Sequence, residues 1–471
     1  MSGHLRLRGW VVVLLALTGP AASSLAAQPF RVRSYTIDAT FEPARERMSA
    51  VAGILFEPGT TGGNTLCFYL HGELRVDSVK VAGVPFAFSQ EIVCHEDDYS
   101  RVANRIEIEV RDVDLSGGVV IGYSGYFHPS VAGAISNYMR IDGGGVFLRS
   151  IGYSLWFPVT VESWRDSHEV SFPSVKLRTP PGFRAVFAGH RVREFEDGDW
   201  RVSEWSAPEL ELFDAQCTAR RFDVLKGGGF ELYHLRDPAA GERAREILSF
   251  TSRLESFYRT HYRRAVSDYS FCILQMPEFG DIASGNVIGL SDEVWNEFDE
   301  SDWQGRTVAH ELVHPFVSLP STEELAALVI EGFPSYFHLP ALADDLGEEW
   351  YGRYMDDVER AYVGKRLTGK GRRGNPLPQE KAIFEITAGE IGVYKDRFVL
   401  SDRVLLFFDF LRRRMGGATF LRFTSDLLNR DRLDLDTVVG VVESYLPGSG
   451  GDVRRWLKTT EFPDRWRRVQ P

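Results

Sequence analysis

Residues 307–314 have the sequence TVAHELVH, and this short segment decides how the chain is interpreted. Residues four apart share one face of a helix, so the imidazoles of His310 and His314 can converge on one metal ion. Glu311 would then lie beside the ion and handle a proton, as in the His-Glu-x-x-His pattern of zinc sites. The alternative is that both histidines are structural residues with hydrogen-bonded rings. Pro315 follows directly, and because proline disfavours helical geometry before it, the helix is predicted to end or kink at His314.

A catalytic zinc ion usually has three protein ligands and an open fourth position. The best third ligand is Glu331, in the segment LVIEGFPSYF of residues 328–337, with sixteen residues between His314 and Glu331. Glu323 and Glu324 compete for this role. They open the same segment, however, where acidic residues are expected anyway because they complement the dipole of a helix N-terminus.

The sequence on either side of this segment predicts two domains. A chain of 471 residues exceeds the size at which a single core keeps growing. Residues 28–225 consist of short alternating or apolar runs between turn residues, which predicts an antiparallel β domain, open or sandwich-like. Residues 226–471 are predicted to form an α+β domain that is mainly helical.

Four elements are predicted in the second domain from helix caps and hydrophobic periodicity. They are a helix from Asp237-Pro238 with Ala244, Ile247, Leu248, Thr251, Leu254 and Tyr258 on one face, a strand at 270–275, a helix capped by Ser401 or Asp402 and ended by Gly416 or Gly417, and a helix at 435–446.

The net charge argues against one class of partner, and the N-terminal segment predicts where the protein is located. A net charge of -12 argues against a nucleic-acid surface, because phosphate binding needs an excess of Lys and Arg. Arg6 and Arg8 precede an apolar run at 10–17 and small residues at 21–27, which predicts a signal peptide at 1–27. A retained anchor is the alternative. We expect a secreted or periplasmic protein without stable membrane insertion after cleavage.

Export would permit disulfide bonds among the four cysteines, which allow three pairings. Cys67 and Cys94 lie in one predicted β region and are the first pair to test. Cys272 belongs to an apolar run and is predicted to be a small buried hydrophobic residue.

Several motifs together resemble the gluzincin aminopeptidases, the zinc-peptidase family of aminopeptidase N and leukotriene hydrolase. HELVH at 310–314 and EGFPSYF at 331–337 carry the resemblance, and VYKDRFVL at 393–400 is similar to the segment around that family's catalytic tyrosine. LWFP at 155–158 suits the family's N-terminal β domain. The resemblance implies a thermolysin-like catalytic domain, a peptide substrate and one Zn²⁺ ion. It also implies site residues: the ligands His310, His314 and Glu331, Glu311 as general base, and Tyr394 as transition-state stabiliser.

The chain departs from the family pattern most clearly where the substrate's free amine binds. The family's Gly-x-Met-Glu-Asn motif appears only as ASGN at 283–286, so Gly285 and Asn286 are the candidate substrate-binding residues and Gly285 stands in place of the glutamate. Glu278 and Asp281 are the nearest acids that could substitute for it. Furthermore, the interval before Glu331 is shorter than usual, Pro315 replaces a polar residue, and no C-terminal helical domain is expected.

The resulting prediction is a zinc-dependent, aminopeptidase-like peptidase that discriminates weakly between free and blocked N-termini. Two alternatives stay open, because function follows the pocket rather than the fold. One is a zinc hydrolase of a non-peptide bond. The other is a catalytically silent binding protein on a peptidase scaffold.

Overall fold

The computed structural model describes residues 30–58, 64–95, 98–127, 139–148, 155–160, 169–262, 270–276, 282–368, 381–386 and 399–461. The predicted signal peptide and three predicted or competing site residues, Glu278, Asp281 and Tyr394, lie outside these ranges.

The first part of the chain forms an eight-stranded sheet and two four-stranded sheets. Buried and exposed residues alternate along most strands, as expected where one face of a sheet meets a core. The pairing is antiparallel apart from β1 and β12, which run parallel. The orders are β14-β15-β12-β1-β2-β8-β4-β5, β13-β16-β10-β9 and β11-β3-β7-β6. The strands are β1 Val32–Glu42, β2 Arg47–Phe56, β3 Thr65–His71, β4 Leu74–Val81, β5 Val84–Pro85, β6 Ser89–His95, β7 Asp98–Glu109, β8 Val119–Tyr126, β9 Met139–Asp142, β10 Gly145–Leu148, β11 Val159–Thr160, β12 Glu169–Thr179, β13 Arg184–Phe187, β14 His190–Asp197, β15 Trp200–Glu211 and β16 Cys217–Arg220.

The second part combines a five-stranded mixed sheet, in the order β17-β18-β19-β21-β20, with a group of helices. Its first strand spans the boundary predicted between residues 225 and 226. The strands are β17 Phe222–Gly227, β18 Phe230–Leu235, β19 Phe271–Met276, β20 Ile282–Ser284 and β21 Val287–Ser291. The helices are α1 Pro238–His261, α2 Asp292–Asn296, α3 Trp303–Val317, α4 Glu323–Ala327, α5 Phe333–Phe337, α6 Leu339–Leu346, α7 Glu348–Thr368, α8 Val404–Met415, α9 Gly417–Leu428, α10 Leu435–Tyr445 and α11 Gly450–Lys458.

Strand β19 is buried on both faces of the sheet, which explains its apolar run at 271–274. Ile273 faces the helical core, whereas its neighbours Cys272 and Leu274 belong to the core of the β domain. The β domain and the helices therefore pack on opposite faces of one sheet. Arg191 of β14 reinforces this contact, because it donates hydrogen bonds to Glu231 at 2.6 Å and Tyr233 at 3.0 Å in β18.

Most of the predicted helix ends are confirmed, but one cap is wrong. Helix α1 begins at Pro238, and the Asp237 carboxylate accepts a hydrogen bond from the backbone of Ala239 at 2.9 Å. Gly416, with a φ of 79°, ends α8. Neither Ser401 nor Asp402 caps that helix, because the π-helical turn Val399–Arg403 leads directly into it. Asp402 forms an ion pair with Lys365 instead.

Cys67 and Cys94, the first cysteine pair to test, are too far apart for a disulfide bond. Strands β3 and β6 flank β7, and the two cysteines pair with Glu107 and Val102, five residues apart on that strand. Their Cα atoms are therefore separated by about 10 Å across the sheet and about 16 Å along it. A disulfide needs a Cα–Cα separation below about 7 Å, so this pair is excluded. The prediction for Cys272 is confirmed, since it is 3% exposed.

Among the residues that the structure describes, one helical run, Glu323–Leu346, is long and apolar enough to cross a membrane. Of its apolar window, 89% is buried inside the protein, as expected for the core helices of a folded domain.

Candidate metal centre

Helix α3 carries the His-Glu-x-x-His segment and is fixed at both ends. The Asp302 carboxylate accepts a hydrogen bond from the backbone of Trp303 at 2.7 Å and caps the N-terminus. The helix continues through Pro315 to Val317, so it does not end at His314. Pro315 lies two residues before the helix ends, where its missing N–H removes a single bond. The chain then leaves the helix at Ser318, whose backbone N–H donates to the carbonyl of His314 at 3.0 Å.

The two histidines of this helix converge as their spacing predicts. Nε2 of His310 lies 3.3 Å from Nε2 of His314, and the two rings are nearly perpendicular. Both rings are partly exposed, whereas Glu311 is only 4% exposed. One ligand atom from each of these three residues lies within 4.8 Å of the others. Helix α3 therefore presents two imidazoles and a buried carboxylate to the same small volume.

Glu331 reaches the same volume from the next helical segment. It lies in the π-helical turn Leu328–Gly332, where the backbone N–H of Phe333 donates to the carbonyl five residues earlier. Its Oε1 is 3.4 Å from Nε2 of His310, and the residue is 5% exposed. The competing acids Glu323 and Glu324 are exposed in the first turn of α4.

The ligand types and two of the three ligand separations fit a shared zinc ion. Two atoms bound to one tetrahedral ion at about 2.0 to 2.1 Å are separated by about 3.3 to 3.4 Å. The His310–His314 and His310–Glu331 separations of 3.3 and 3.4 Å match this value. Two imidazole nitrogens and a carboxylate oxygen are also a ligand set that zinc commonly uses in catalytic sites.

His338 is a neighbour of the centre that the sequence motifs do not reveal. It follows Glu331 by seven residues, and its ring lies 5.7 Å from the ring of His310. Its Nδ1 lies 2.8 Å from the carbonyl oxygen of Pro334. Burial, with a smaller contribution from His310, lowers the pKa of His338 to about 3, so its ring is neutral. Its position two helical turns beyond Glu331 is the signal that would have identified it.

The structure places the two predicted substrate-binding residues at the domain interface, in the turn between β20 and β21. Gly285 has a φ of 56°, and a Cβ there would lie 3.1 Å from Leu210 of the β domain. The Asn286 side chain accepts from the backbone N–H of Gly189 at 2.7 Å and donates to two carbonyls, those of Gly189 at 3.0 Å and Ser270 at 2.7 Å. Both side-chain hydrogens of Asn286 are thus used within the protein. Strand β20, which precedes this turn, contacts helix α3.

Asp214, which belongs to none of the sequence motifs, faces the same turn from the β domain. It ends the 3-10 turn Leu212–Asp214, and its carboxyl accepts a hydrogen bond from the backbone of Gly285. Burial, with a smaller contribution from Glu211, raises the pKa of Asp214 to about 7.

The sequence matches none of the known protein-family models and has no significant counterpart among curated proteins. The fold does match solved structures. An M1 zinc metallopeptidase from Deinococcus radiodurans has a TM-score of 0.65 at 14% identity, over 94% of this chain and 98% of that one. A mutant M1 zinc metallopeptidase from the same organism, bound to a Tyr-Ser-Ala substrate, has a TM-score of 0.63 at 13% identity, over 93% and 96%. Native yeast LTA4 hydrolase has a TM-score of 0.64 at 13% identity, over 92% of this chain and 68% of that one.

The fold is therefore that of the M1 zinc metallopeptidases, a β domain followed by a mainly helical domain. The predicted fold class is confirmed. The solved relatives also include LTA4 hydrolase, the second member of the group that the sequence motifs resemble.

Proposed function

We propose that the protein is a zinc-dependent peptidase that hydrolyses peptide bonds with a metal-activated water. The observation that carries this proposal is the spacing of three ligand atoms, 3.3 Å between His310 and His314 and 3.4 Å between His310 and Glu331. The buried carboxylate of Glu311 lies beside them. A mutant M1 zinc metallopeptidase of matching fold binds a Tyr-Ser-Ala substrate, which supports a peptide as the substrate of this protein.

Each residue of the centre has a distinct chemical role. Bound zinc lowers the pKa of a coordinated water toward about 7 and polarises the scissile carbonyl. Glu311 takes the proton from the attacking water and delivers it to the leaving amine, a role worth about a hundred- to ten-thousand-fold in rate. Tyr394, which lies outside the described residues, is proposed from the family resemblance to donate a hydrogen bond to the developing oxyanion.

The test combines metal content with hydrolysis of a peptide library. We expect wild type to bind one zinc ion and to lose turnover on chelation, with recovery when zinc is added back. His314→Ala and Glu331→Gln should bind zinc much more weakly. Glu323→Gln is the matched control, because it neutralises an exposed glutamate in the same helical segment.

The outcomes also separate the alternatives. A wild-type protein without zinc would refute the metal site. A zinc-loaded protein that cleaves esters but no peptide would favour the non-peptide hydrolase. Zinc binding with no turnover on any substrate would favour the catalytically silent binding protein.

We also propose that the site binds the substrate's free amine weakly. The resemblance places a glutamate where Gly285 stands, and the turn around Gly285 packs against Leu210 of the β domain. Matched peptides with free and acetylated N-termini should therefore have similar kcat/KM values. A preference above about a hundredfold for the free amine, about 2.7 kcal/mol, would show that an anchor exists.

Export is a further proposal, and it rests on the sequence of residues 1–27. N-terminal sequencing of protein recovered from the periplasm or the medium should give a start near Gln28. A protein that retains its first residues in the cytoplasm would contradict this proposal.

A further inference from the structure

Two buried tyrosines at the end of helix α1 bond to the two backbone segments that carry the metal ligands. The hydroxyl of Tyr258 donates to the carbonyl of Ala309 at 3.2 Å, and the hydroxyl of Tyr262 donates to the carbonyl of Phe337. Ala309 directly precedes the first histidine ligand in α3. Phe337 ends α5, which follows directly on the π-helical turn of Glu331. Hydroxyl groups from one helix therefore reach both segments of the metal centre.

The two tyrosines form one packed unit. They are four residues apart, and the backbone N–H of Tyr262 donates to the carbonyl of Tyr258 at 2.8 Å, so both side chains lie on one helix face. Their rings are stacked, with centroids 5.6 Å apart and planes at 12°. The ring of Tyr258 also lies 5.3 Å from that of Phe316 in α3, and the ring of Tyr262 lies 5.9 Å from that of Phe337. Both tyrosines are 0% exposed.

Packing alone does not explain the two hydroxyl groups, because phenylalanine would fill almost the same space. A buried hydroxyl needs a hydrogen-bond partner. Helices α3 and α5 also pack directly against each other. Apolar packing is non-directional and lets helices slide against each other, whereas a hydrogen bond fixes the distance and direction between a donor and an acceptor. The bonds to Ala309 and Phe337 therefore limit the sliding of both segments.

One ligand separation in the metal centre depends on where these two segments lie. His310 and His314 share α3, so helix geometry sets their separation. Glu331 belongs to the other segment, so the 3.4 Å between its Oε1 and Nε2 of His310 depends on tertiary packing. Zinc–ligand distances in protein sites stay within about 0.2 Å of their usual values. A small slide of one segment therefore weakens zinc binding.

We propose that Tyr258 and Tyr262 are positioning residues for the metal centre, which fix α3 and α5 to α1 and thereby set the separation between His310 and Glu331. The two bonds act in series, because each tyrosine holds only one of the two segments. Loss of either hydroxyl therefore releases the link, and loss of the second changes little more. This inference rests on the zinc site of the proposed function.

Removal of each hydroxyl tests the link while the ring stack is kept. Tyr258→Phe, Tyr262→Phe and the double variant are prepared as metal-free full-length protein. Zinc affinity is measured by competition with a chromophoric chelator, and the free energy of unfolding is measured by urea titration. We expect each single variant to weaken zinc binding by about two- to tenfold, the range that corresponds to one net hydrogen bond. The double variant should bind zinc about as weakly as the weaker single variant.

Tyr233→Phe is the matched control for a loss of stability alone. Tyr233 is also 0% exposed, and its hydroxyl donates to Glu231 at 2.6 Å. Its ring, however, belongs to the core of the β domain. We expect this variant to lose stability and to bind zinc as wild type does.

Wild-type zinc affinity in either Tyr258→Phe or Tyr262→Phe would overturn the inference, because a link in series needs both ends. One of the two variants therefore decides this point if the other does not fold. A double variant whose weakening is the product of the two single effects would also overturn it, because independent supports multiply. A wild-type protein that binds no zinc refutes the proposed function itself, so the two failures are distinguishable.

Discussion

Replacing Asn286 by alanine should destabilise the protein by removing a side chain that joins its two domains. The Asn286 amide makes three hydrogen bonds, two with the backbone of Gly189 in the β domain and one with the carbonyl of Ser270 beside β19. The two bonds to Gly189 are fully buried. Alanine keeps the backbone of the turn but leaves these partner groups unpaired.

The expected loss in the free energy of unfolding follows from the number of hydrogen-bonding groups that are left unpaired. A buried donor or acceptor left without a partner costs about 1 to 3 kcal/mol, so the two groups of Gly189 together cost about 2 to 6 kcal/mol. The part-buried bond to Ser270 adds about 0.5 to 1.5 kcal/mol. Because water can enter the space vacated by the amide, we expect a net loss of about 3 to 5 kcal/mol in the free energy of unfolding.

Urea unfolding, followed by tryptophan fluorescence and far-UV circular dichroism, measures this loss. Asn429→Ala is the matched control, because Asn429 is exposed and donates to the carbonyl of Ser425 at 2.7 Å. Its loss should stay below about 1 kcal/mol. A stable Asn286→Ala variant with a raised KM would refute the structural reasoning and support the role in substrate binding that the sequence predicts.

The structure predicts the effects of three further substitutions, one in the metal centre and two in the surrounding protein. Glu311→Gln should keep its zinc but lower kcat by at least about a hundredfold, and near-normal turnover would contradict the mechanism. Gly305→Ala should lower the free energy of unfolding by about 1 to 3 kcal/mol or more, because the new Cβ would lie 2.3 Å from the backbone oxygen of Glu300. Asp214 should make the protein less stable as pH rises from about 4 to 7, because the folded state keeps a proton that the unfolded chain releases. Asp214→Asn should flatten this dependence in urea titrations, whereas an unchanged slope would show that another group causes it.

Local spacing made much of the site predictable from the sequence. His310 and His314 are four residues apart, and a helix alone brings them to one face. Glu331 is seventeen residues beyond His314, yet its apolar surroundings distinguish it from the solvated acids Glu323 and Glu324. The helix does not end at His314, because a proline close to the end of a helix removes only one bond where the helix is about to stop.

Contacts between distant parts of the chain could not be predicted from the sequence. Gly189 and Asn286 are 97 residues apart, and neither residue type indicates that an amide will bridge the two domains. The separation of Cys67 and Cys94 could not be predicted for the same reason. Both cysteines lie in one sheet, but strand register, which depends on the pairing of three strands, places them too far apart.

The backbone conformation and packing around Gly285 disfavour a glutamate at this position. Restoring the glutamate side chain alone would therefore not restore the amine-binding site. The φ of 56° lies in the left-handed region, which costs an ordinary residue about 1 kcal/mol or more. A Cβ at this position would point to Leu210 at 3.1 Å and Ala188 at 3.6 Å, both in the β domain. A glutamate built on this turn would therefore be directed into the domain interface. The same turn is held there by the Asn286 amide, so the packing that joins the domains also excludes the family's amine anchor from this position. The proposed weak N-terminal discrimination rests on this packing, because any group that binds the substrate's amine must come from another segment.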